Sequence, residues 1–376
     1  MPICDFVIIG AGIAGAAAAY ELAAHGRVIL LERESLPGYH ATGRSAAVLT
    51  ENYGNSIIRR LTVASRRFLE NDPDGFASSP LVSPRGVLWI AREDQRDRLT
   101  TVLAEAQQLV PSIHAVDCGQ ARRLCPVLRE EYLAAAVLEP DAMDMDVHAI
   151  HQGFLKGFRQ RNGDLVTGAE VTRLVRSGDS WEVYTAKGRF HAGVVVNAAG
   201  AWCDELGRLA GARSIGLTPK RRTAFIFDGP THYDLQAWPV VIDVDEQFYF
   251  KPESGRILAS PADETPMPPC DVYPEDYDVA LAVDRIEKAA TLAVRHIRRK
   301  WAGLRSFVAD KAPVVGMDVS LPGFFWLAGQ GGYGIMTSPA MARAAASLIV
   351  DARLPADLAA AGLTPEDLSL ARFQGR

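Results

Sequence analysis

Three glycines near the start of the chain, Gly10, Gly12 and Gly15, have the G-x-G-x-x-G spacing that lets a backbone approach a phosphate closely. The glycines permit a tight turn, and a helix that begins there offers unpaired N–H groups and a partial positive charge. Glu32 follows Gly15 by 17 residues, at the position where a carboxylate accepts hydrogen bonds from a ribose. Together these residue types predict a site for the pyrophosphate and ribose of a dinucleotide.

The segments around these residues must form a βαβ unit if they are to position such a site. Residues 6–9 and 28–31 are apolar runs typical of buried strands, and the alanine-rich stretch between them predicts a helix. A glycine-rich turn in an ordinary βαβ unit is the alternative. The complete set of strand, helix, second strand and terminal glutamate favours the dinucleotide site.

A second glycine-rich turn, residues 329–334, follows an apolar strand predicted at 324–328 and precedes a small-residue helix predicted at 338–350. It lies more than 300 residues after the first, which suggests a large cofactor held at both of its ends. The region between differs in character, because its short apolar runs are separated by turn residues and predict an antiparallel sheet. Its predicted elements are strands at 223–227, 240–242, 247–250 and 256–260 and a helix at 278–296.

Bulk composition excludes several classes of protein. The chain has 376 residues, of which 23% are charged, and its net charge of −5 includes no basic stripe for nucleic acid. No transmembrane segment or signal peptide is predicted, and five widely spaced cysteines without a C-x-x-C pair indicate a reducing, cytoplasmic location. No metal site is expected, because the histidines lack H-x-x-x-H spacing and the Asp141–Asp146 segment lacks the rest of a calcium loop.

Several motifs in one order identify a resemblance. They are GAGIAGA (10–16), LLERE (30–34), PGYHATGRSAA (37–47), NAAGAW (197–202), PKRR (219–222), WAGLRSFVAD (301–310) and GQGGYGI (329–335). With them the chain resembles the D-amino-acid-oxidase superfamily of FAD enzymes, most closely the bacterial D-arginine dehydrogenases. The resemblance implies an α/β fold in which a discontinuous Rossmann-like FAD-binding domain of glutathione-reductase type is joined to an antiparallel-sheet substrate domain. The implied ranges are 1–80, 141–215 and 301–376 for the FAD domain and 81–140 and 216–300 for the substrate domain.

The resemblance also assigns residues to a non-covalently bound FAD. In it, the first glycine turn holds the pyrophosphate, Glu32 the ribose, and the segment Gly331–Thr337 the pyrimidine end of the flavin. The positions carried over are Gly10, Gly12, Ile13, Ala14, Gly15, Glu32, Arg33, Thr42, Gly43, Arg44, Ser45, Ala46, Ala47, Val171, Ala199, Gly200, Trp202, Gly331, Gly332, Tyr333, Gly334, Ile335 and Thr337.

Oxidation of an α-amino acid requires that its carboxylate be held firmly, and a forked guanidinium does this better than an ammonium group. Arg222 and Arg305 match the family's two carboxylate-binding positions. Tyr53 and Tyr249 match its substrate-facing phenols, and the carbonyl of Gly332 matches a contact to the substrate amine. The side-chain pocket implied by the resemblance consists of Val48, Thr50, Val87, Val240 and Ile242.

Two departures from the D-arginine dehydrogenases alter the expected substrate. The family has an acid at the position of Val87 and a histidine at that of Val48. A guanidinium buried among valines would lack a charge partner, at a cost of several kcal/mol. The departures therefore favour D-amino acids with apolar side chains, unless another acid such as Glu51 or Asp243 takes over the role.

The resulting expectation is an FAD-dependent dehydrogenase that converts free D-amino acids to 2-oxo acids and ammonia. The alternatives are a D-arginine dehydrogenase proper, a glycine or secondary-amine oxidase, a 2-hydroxy-acid dehydrogenase, and a flavin-binding protein without catalysis. The sequence does not identify the electron acceptor. A quinone or an electron-transfer partner is favoured over oxygen.

Overall fold

A computed structural model describes residues 3–373 and confirms the predicted α/β fold class. The described strands, β1 to β20 in chain order, are Ile3–Ile9, Val28–Leu31, Val48–Leu49, Val82–Pro84, Val87–Ala91, His114–Val116, Ala135–Glu139, Met143–Met145, Asp164–Val166, Val171–Ser177, Ser180–Thr185, Gly188–Asn197, Thr218–Phe227, Val240–Asp243, Tyr249–Glu253, Arg256–Ser260, Thr265–Pro266, Ile297–Phe307, Val314–Met317 and Phe324–Ala328.

The described helices are interspersed among these strands along the chain. In chain order, α1 to α10 are Ile13–Leu22, Ser56–Glu70, Arg96–Gln107, Cys118–Leu124, Val147–Gln160, Cys203–Ala210, Asp276–Ala289, Ser338–Val350, Ala356–Ala360 and Pro365–Leu368. Within residues 3–373, no helix has both the length and the apolar character needed to cross a membrane.

The first sheet has a parallel centre in the order β9-β2-β1-β12-β20, and antiparallel strands extend it at its margins. Ile9 of β1 is in register with both Leu31 of β2 and Asn197 of β12. The strands therefore end together, and the residues that follow them meet at one edge of the sheet. Helices α5 and α8 pack against α1, in which the alanines at 16–19 are almost completely buried. Small side chains on α1 allow this close packing.

The second sheet has nine strands, and its longest ladder joins β13 to β18. All its pairs are antiparallel as predicted, except β14 with β5, which run parallel. The helix predicted at 278–296 ends at Ala289, so residues 290–296 are not helical, and β18 begins at Ile297. Ala290 is extended and forms an isolated bridge with Leu128, so a long-range contact ends the helix where local periodicity would continue it.

A small third sheet, β3-β8-β4, links the segment at 48–49 to residues 143–145. β18 crosses the predicted domain boundary at residue 301 and pairs only with the second sheet among the described strands. The domain ranges themselves remain a prediction. Residues 1–2 and 374–376, which those ranges include, lie outside the described residues.

Candidate active site

A long cleft runs from the edge of the first sheet, where β1, β2 and β12 end, to strands β13, β15 and β18 of the second sheet. It encloses about 1830 Å³ of space, its open mouth included. One end is lined by the turn after β1, and the other is lined by side chains from the second sheet together with the turn after β20. The two glycine-rich turns of the sequence therefore lie in a single cleft.

Only glycine fits at two positions, one in the turn after β1 and one in the first turn of α1. Gly10 has φ of +102°, and a Cβ there would lie 2.4 Å from the carbonyl oxygen of Ala198. A Cβ on Gly15 would lie 1.8 Å from the carbonyl oxygen of Gly10. Gly12 caps α1 without any side-chain hydrogen bond, so the start of the helix remains open to an anion from the cleft.

Glu32 lies beside this turn and is almost completely buried, at 7% exposure. Its Oε2 accepts a hydrogen bond from the backbone N–H of Ala11 at 2.7 Å, and its Oε1 accepts one from that of Glu34 at 2.9 Å. Each carboxylate oxygen keeps a further lone pair for another donor. Glu32 can therefore fix the turn and still accept hydrogen bonds from the two hydroxyls of a ribose.

Two further side chains hold the start of α1. The Thr42 Oγ1 accepts a hydrogen bond from the N–H of Ile13 at 2.9 Å. His151, which is buried, has its Nε2 2.9 Å from the carbonyl oxygen of Ala11. Burial lowers the pKa of this histidine, so a neutral ring that donates from Nε2 fits the contact. The turn is thus anchored from both flanks.

At the other end of the cleft, two arginines lie on neighbouring strands. Arg222 of β13 is opposite Gly303 of β18, and Arg305 of β18 is opposite Lys220. Because residues two apart on a strand share a face, Arg222 and Arg305 are diagonal neighbours on the same face. Both line the cleft. The buried Nε of Arg222 has no hydrogen-bond partner among the described residues, which leaves a charged donor for a ligand.

Each arginine also has an acidic or phenolic neighbour. Arg222 Nη2 is 3.3 Å from a carboxylate oxygen of Glu264. Arg305 Nη1 donates to the Tyr53 hydroxyl at 3.2 Å, and that hydroxyl in turn donates to Glu246, also at 3.2 Å. Burial acts to lower the pKa of Arg305, but Tyr53, Tyr249 and Glu246 outweigh it and raise that pKa above its ordinary value. The Arg305 guanidinium is therefore charged.

Two predicted residues complete this end of the cleft. Tyr249 of β15 lines it, and so does Gly332 of the turn after β20. A Cβ on Gly332 would lie 2.7 Å from Arg305 Nη1, so the glycine backbone packs directly on the guanidinium. The predicted set Tyr53, Tyr249, Arg222, Arg305 and Gly332 is thus brought together, although its members are far apart in the chain.

Comparison with known proteins agrees with this architecture. Residues 5–348 match the sequence profile of the family described as FAD dependent oxidoreductase, or DAO. The chain belongs to this family of FAD-dependent oxidoreductases. A particular closeness to D-arginine dehydrogenase is not shown by these comparisons, which find several other members.

One relative is the hydrogen cyanide synthase subunit HcnC of Pseudomonas aeruginosa, 23% identical over 98% of this chain and 98% of its own length. Among solved structures, L-proline dehydrogenase from P. horikoshii matches with a TM-score of 0.86 at 22% identity, over 100% of this chain and 99% of that one. Glycine oxidase from Geobacillus kaustophilus matches with a TM-score of 0.83 at 23% identity, over 95% and 96%. At these identities the structures show a shared fold.

Most positions predicted to bind FAD lie along the cleft. Arg33 stacks over the ring of Trp202, 4.5 Å from its centroid, near the end where the ribose site lies. Arg44 Nη1 donates to the carbonyls of Val272 and Ala302, both at 3.1 Å, so its side chain points toward the segment that borders the cleft. The predicted positions that line the cleft are Gly10, Gly12, Ile13, Ala14, Glu32, Arg33, Thr42, Arg44, Ser45, Ala46, Val171, Ala199, Gly200, Trp202, Gly331, Gly332, Gly334 and Ile335.

Five predicted FAD positions do not line the cleft and support it from behind. A Cβ on Gly15 or on Gly43 would strike backbone oxygen, at 1.8 Å and 2.7 Å respectively, so both glycines serve close packing. Ala47 packs against the hydrophobic core. Tyr333 stacks edge-on against Tyr53 at 5.0 Å, and Thr337 donates to the carbonyl of Tyr333 at 2.9 Å.

The aliphatic residues of the predicted side-chain pocket lie in a hydrophobic cluster beside Tyr53. Val48, Val87, Val240 and Ile242 belong to one hydrophobic cluster that also contacts Tyr53. Val87 and Val240 are directly paired across β5 and β14, with 0% and 2% exposure, and none of the four lines the main cleft. Their assignment to a substrate pocket therefore stays a prediction.

Three acids near the site were missed by sequence reasoning. Glu246 and Glu264 lie in turns of the second sheet, and nothing in their local sequence marks them. Glu139 ends β7 opposite Val87, and its carboxylate accepts a hydrogen bond from Thr50 Oγ1 at 2.8 Å. A charged residue that ends the apolar run 135–138 was the available signal for Glu139.

The two acids considered as replacements at the pocket have other partners. The Glu51 carboxylate lies 3.2 Å from Arg66. Asp243 is completely buried and accepts hydrogen bonds from Gln95 at 3.2 Å and from Tyr132 at 3.3 Å. Neither lines the cleft.

Proposed function

We propose that this FAD-dependent enzyme oxidises free D-amino acids to 2-oxo acids and ammonia. The pair formed by Arg222 and Arg305 supports this function most strongly, because two guanidinium groups on one face share a cleft with the glycine-rich turns. Such a pair suits a ligand that presents a carboxylate at the end of the cleft.

The carboxylate would lie between the arginines and bind to donors that have few partners within the protein. The buried Arg222 Nε is one such donor. Glu264, 3.3 Å from Arg222, also lies 2.8 Å from Lys220, so its charge remains compensated when a substrate takes over the arginine. Gly332 packs on Arg305 and would direct its carbonyl toward the substrate amine.

The substrate amine must lose its proton before the Cα–H bond breaks. Tyr53 can pass a proton outward, since its hydroxyl already donates to Glu246 and Glu246 is exposed to solvent. Tyr249 of β15 offers a second phenol, and it lines the cleft. A water molecule held between such phenols would accept the proton, so no strong side-chain base is needed.

The residues that line the cleft would hold FAD, which would supply an acceptor for the hydride that leaves Cα. The Cα–N single bond becomes an imine, and water then adds to the imine carbon and releases ammonia. The residues of the chain would hold the carboxylate and the water molecule that accepts the amine proton.

We propose a preference for substrates with apolar side chains. The cluster that contacts Tyr53 contains the four aliphatic residues predicted to form the side-chain pocket. Glu139 is the acid nearest Val87 in register, but its carboxylate is already bonded to Thr50. A D-arginine dehydrogenase proper would need a free carboxylate there. The same arginine pair could hold glycine, a secondary amino acid or a 2-hydroxy acid, and these remain alternatives within the family.

Anaerobic mixing of the purified yellow protein with a panel of acids tests the proposal. The panel contains D- and L-leucine, D-phenylalanine, D-arginine, glycine, L-proline, sarcosine and D-lactate, and the loss of flavin absorbance is followed. Fast bleaching by D-leucine and D-phenylalanine is the expected result. Preference for glycine, L-proline, sarcosine or D-lactate would contradict the D-amino-acid assignment, and no bleaching by any acid would favour a non-catalytic flavoprotein.

The electron acceptor is examined with the reduced protein from the same experiment. We expect reoxidation by a soluble quinone analogue to be faster than reoxidation by dissolved oxygen, as for a dehydrogenase. Faster reaction with oxygen would make the protein an oxidase instead.

A further inference from the structure

Glu139 is a buried carboxylate without a salt bridge to any described residue, at 2% exposure in the second sheet. Its hydrogen-bond donors all come from one short segment, residues 50–52. Thr50 Oγ1 donates to it at 2.8 Å and the N–H of Glu51 at 2.9 Å, and the N–H of Asn52 donates as well. One carboxylate thus holds three consecutive residues.

The segment held in this way leads directly into the active site. Tyr53 is the next residue, and its hydroxyl links Arg305 to Glu246. Thr50 is buried at 6% exposure, and Val48, two residues earlier, belongs to the cluster that contains Val87. The position of this segment therefore affects both the phenol at the arginine pair and the wall of the predicted side-chain pocket.

We propose that Glu139 is a positioning residue, which fastens residues 50–53 over the substrate through its ionised carboxylate. The proposal rests on the function proposed above, because it takes Tyr53 to face the substrate. Two carboxylate oxygens can accept all three hydrogen bonds, whereas a protonated acid turns one oxygen into a donor that faces other donors. Loss of the charge should therefore release one of the three contacts.

This charge is sensitive to pH near neutrality. Burial raises the pKa of Glu139 to about 7, against the hydrogen bonds from Thr50, Glu51 and Asn52, which lower it. Glu51 is the charged neighbour on the held segment and raises the pKa further, while Arg66 of α2 pairs with Glu51 at 3.2 Å. From the adjacent strand, β5, the residue opposite is the uncharged Val87.

Two opposite trends with pH follow from these contacts. Because the pKa is raised on folding, Glu139 contributes stability that is fully present below its unfolded pKa and is lost as pH rises through about 7. Substrate positioning instead improves over the same range, since the ionised form holds the segment. A purely structural residue would affect stability without this opposite effect on kcat/KM.

The test compares wild-type holoenzyme with Glu139→Gln between pH 5.5 and 8.5. We expect the wild-type kcat/KM to rise with an inflection near pH 7, and we expect the variant to lack that inflection. At pH 8 the variant should lose about tenfold in kcat/KM, mainly through KM, which is the scale of one charge-assisted hydrogen bond. The variant should gain thermal stability relative to wild type as pH rises.

Hydrogen exchange supplies a readout that does not depend on any substrate. At pH 8 the protection factors of the Glu51 and Asn52 amides should fall by about tenfold in Glu139→Gln, while those of β12 stay unchanged. Thr50→Val should move the wild-type inflection to higher pH, because it removes a contact that lowers the pKa, and Thr50→Ser should leave it in place. The Thr50 pair also serves if Glu139→Gln does not fold.

Unchanged protection and an unchanged inflection in Glu139→Gln would overturn the proposal, and so would an inflection that does not respond to Thr50→Val. Failure of the proposed function is a separate result. If the wild type reacts with none of the acids, the exchange measurement still shows whether Glu139 holds the segment.

Discussion

The two ends of the cleft differ in the atoms that form their walls. At the end near β1 the wall is mostly backbone. A Cβ added to Gly10 or Gly15 would lie 2.4 Å or less from a backbone carbonyl oxygen. At the other end the wall is formed by side chains of the second sheet, with the charged pair Arg222 and Arg305 and their acidic neighbours. One end is specified by the absence of side chains, and the other by their charge.

This difference determines what each end tolerates. A backbone wall recognises a phosphate through N–H groups that every residue possesses, so it is disturbed mainly by added volume. A charged wall keeps its guanidinium groups partly paired before any ligand arrives, so a substrate exchanges one partner for another. Changes at the first end should affect FAD retention, and changes at the second should affect turnover with FAD still bound.

Gly15→Ala should have the largest effect and would separate the two ends most clearly. The new Cβ would overlap the carbonyl oxygen of Gly10, 1.8 Å away, and backbone cannot move aside as a flexible side chain can. We expect losses of roughly 3–5 kcal/mol in FAD binding and stability together. Flavin content after gel filtration and thermal unfolding measure them.

Gly193→Ala is the matched control, because its Cβ would make an ordinary contact of 3.6 Å with the Asp5 carbonyl. It should retain full flavin. Full flavin in Gly15→Ala as well would contradict the inference that close backbone packing behind the turn supports this end of the cleft.

Arg222→Met and Arg305→Met examine the charged end. Each should lower kcat/KM by about 2–4 kcal/mol, the range for a charge-assisted contact in a sheltered site, while FAD content stays near that of wild type. The loss should be similar for every amino acid, because each substrate presents the same carboxylate. Steady-state kinetics on three substrates give the comparison.

Arg256→Met is the control for this pair, since Arg256 lies on the same sheet with its side chain 54% exposed. It should retain wild-type kinetics. If the losses at Arg222 and Arg305 were confined to basic substrates, the carboxylate-binding role would be wrong.

Val87→Glu sharpens the comparison within the charged end. The wild type should prefer apolar D-amino acids over D-arginine, and the substitution should shift the ratio of their kcat/KM values toward D-arginine by about 2 kcal/mol. Because Glu139 is the residue opposite Val87, the added carboxylate would also raise the pKa of its neighbour and reduce stability.

Val87→Gln separates charge from size in that experiment and should shift the ratio much less. A wild type that already prefers D-arginine to D-leucine would contradict the apolar pocket. Glu139, next to Val87, would then be the first acid to examine.

The same contrast explains how much could be predicted from the sequence. The first end lies within residues 10–32, where local spacing specifies strand, turn and helix together, and the structure brings Gly10, Gly12 and Glu32 to one edge as predicted. The cleft also contains Arg222 and Arg305, but only the family resemblance marked them, because an arginine on a strand has no local signature of burial.

Acids at the second end lay beyond such reasoning for a physical reason. Glu246, Glu264 and Glu139 come from separate turns and a strand end, and only sheet register brings them near the arginines or the segment at 50–53. Residues 290–296 were mistaken for helix because the bridge that pairs Ala290 with Leu128 is a long-range contact. Local periodicity carries no information about a partner so distant in the chain.

Glu32→Ala should have the smallest effect of this series. It tests whether a side chain, and not only backbone, contributes to FAD binding at the end near β1. Removal of the carboxylate leaves the Ala11 and Glu34 amides without their acceptor and removes the ribose contact. We expect FAD affinity to fall by about 1–2 kcal/mol, with the order of preference among substrates unchanged. Glu32→Gln should lose less, because its amide oxygen can still accept one of these bonds.

Glu170→Ala is the control, because Glu170 is an exposed acid that lines the same cleft. It removes the same charge and should leave the FAD dissociation constant unchanged. Equal weakening by both alanine variants would mean that general charge matters, whereas a change in substrate preference would move Glu32 out of the backbone wall and into the chemistry of the other end.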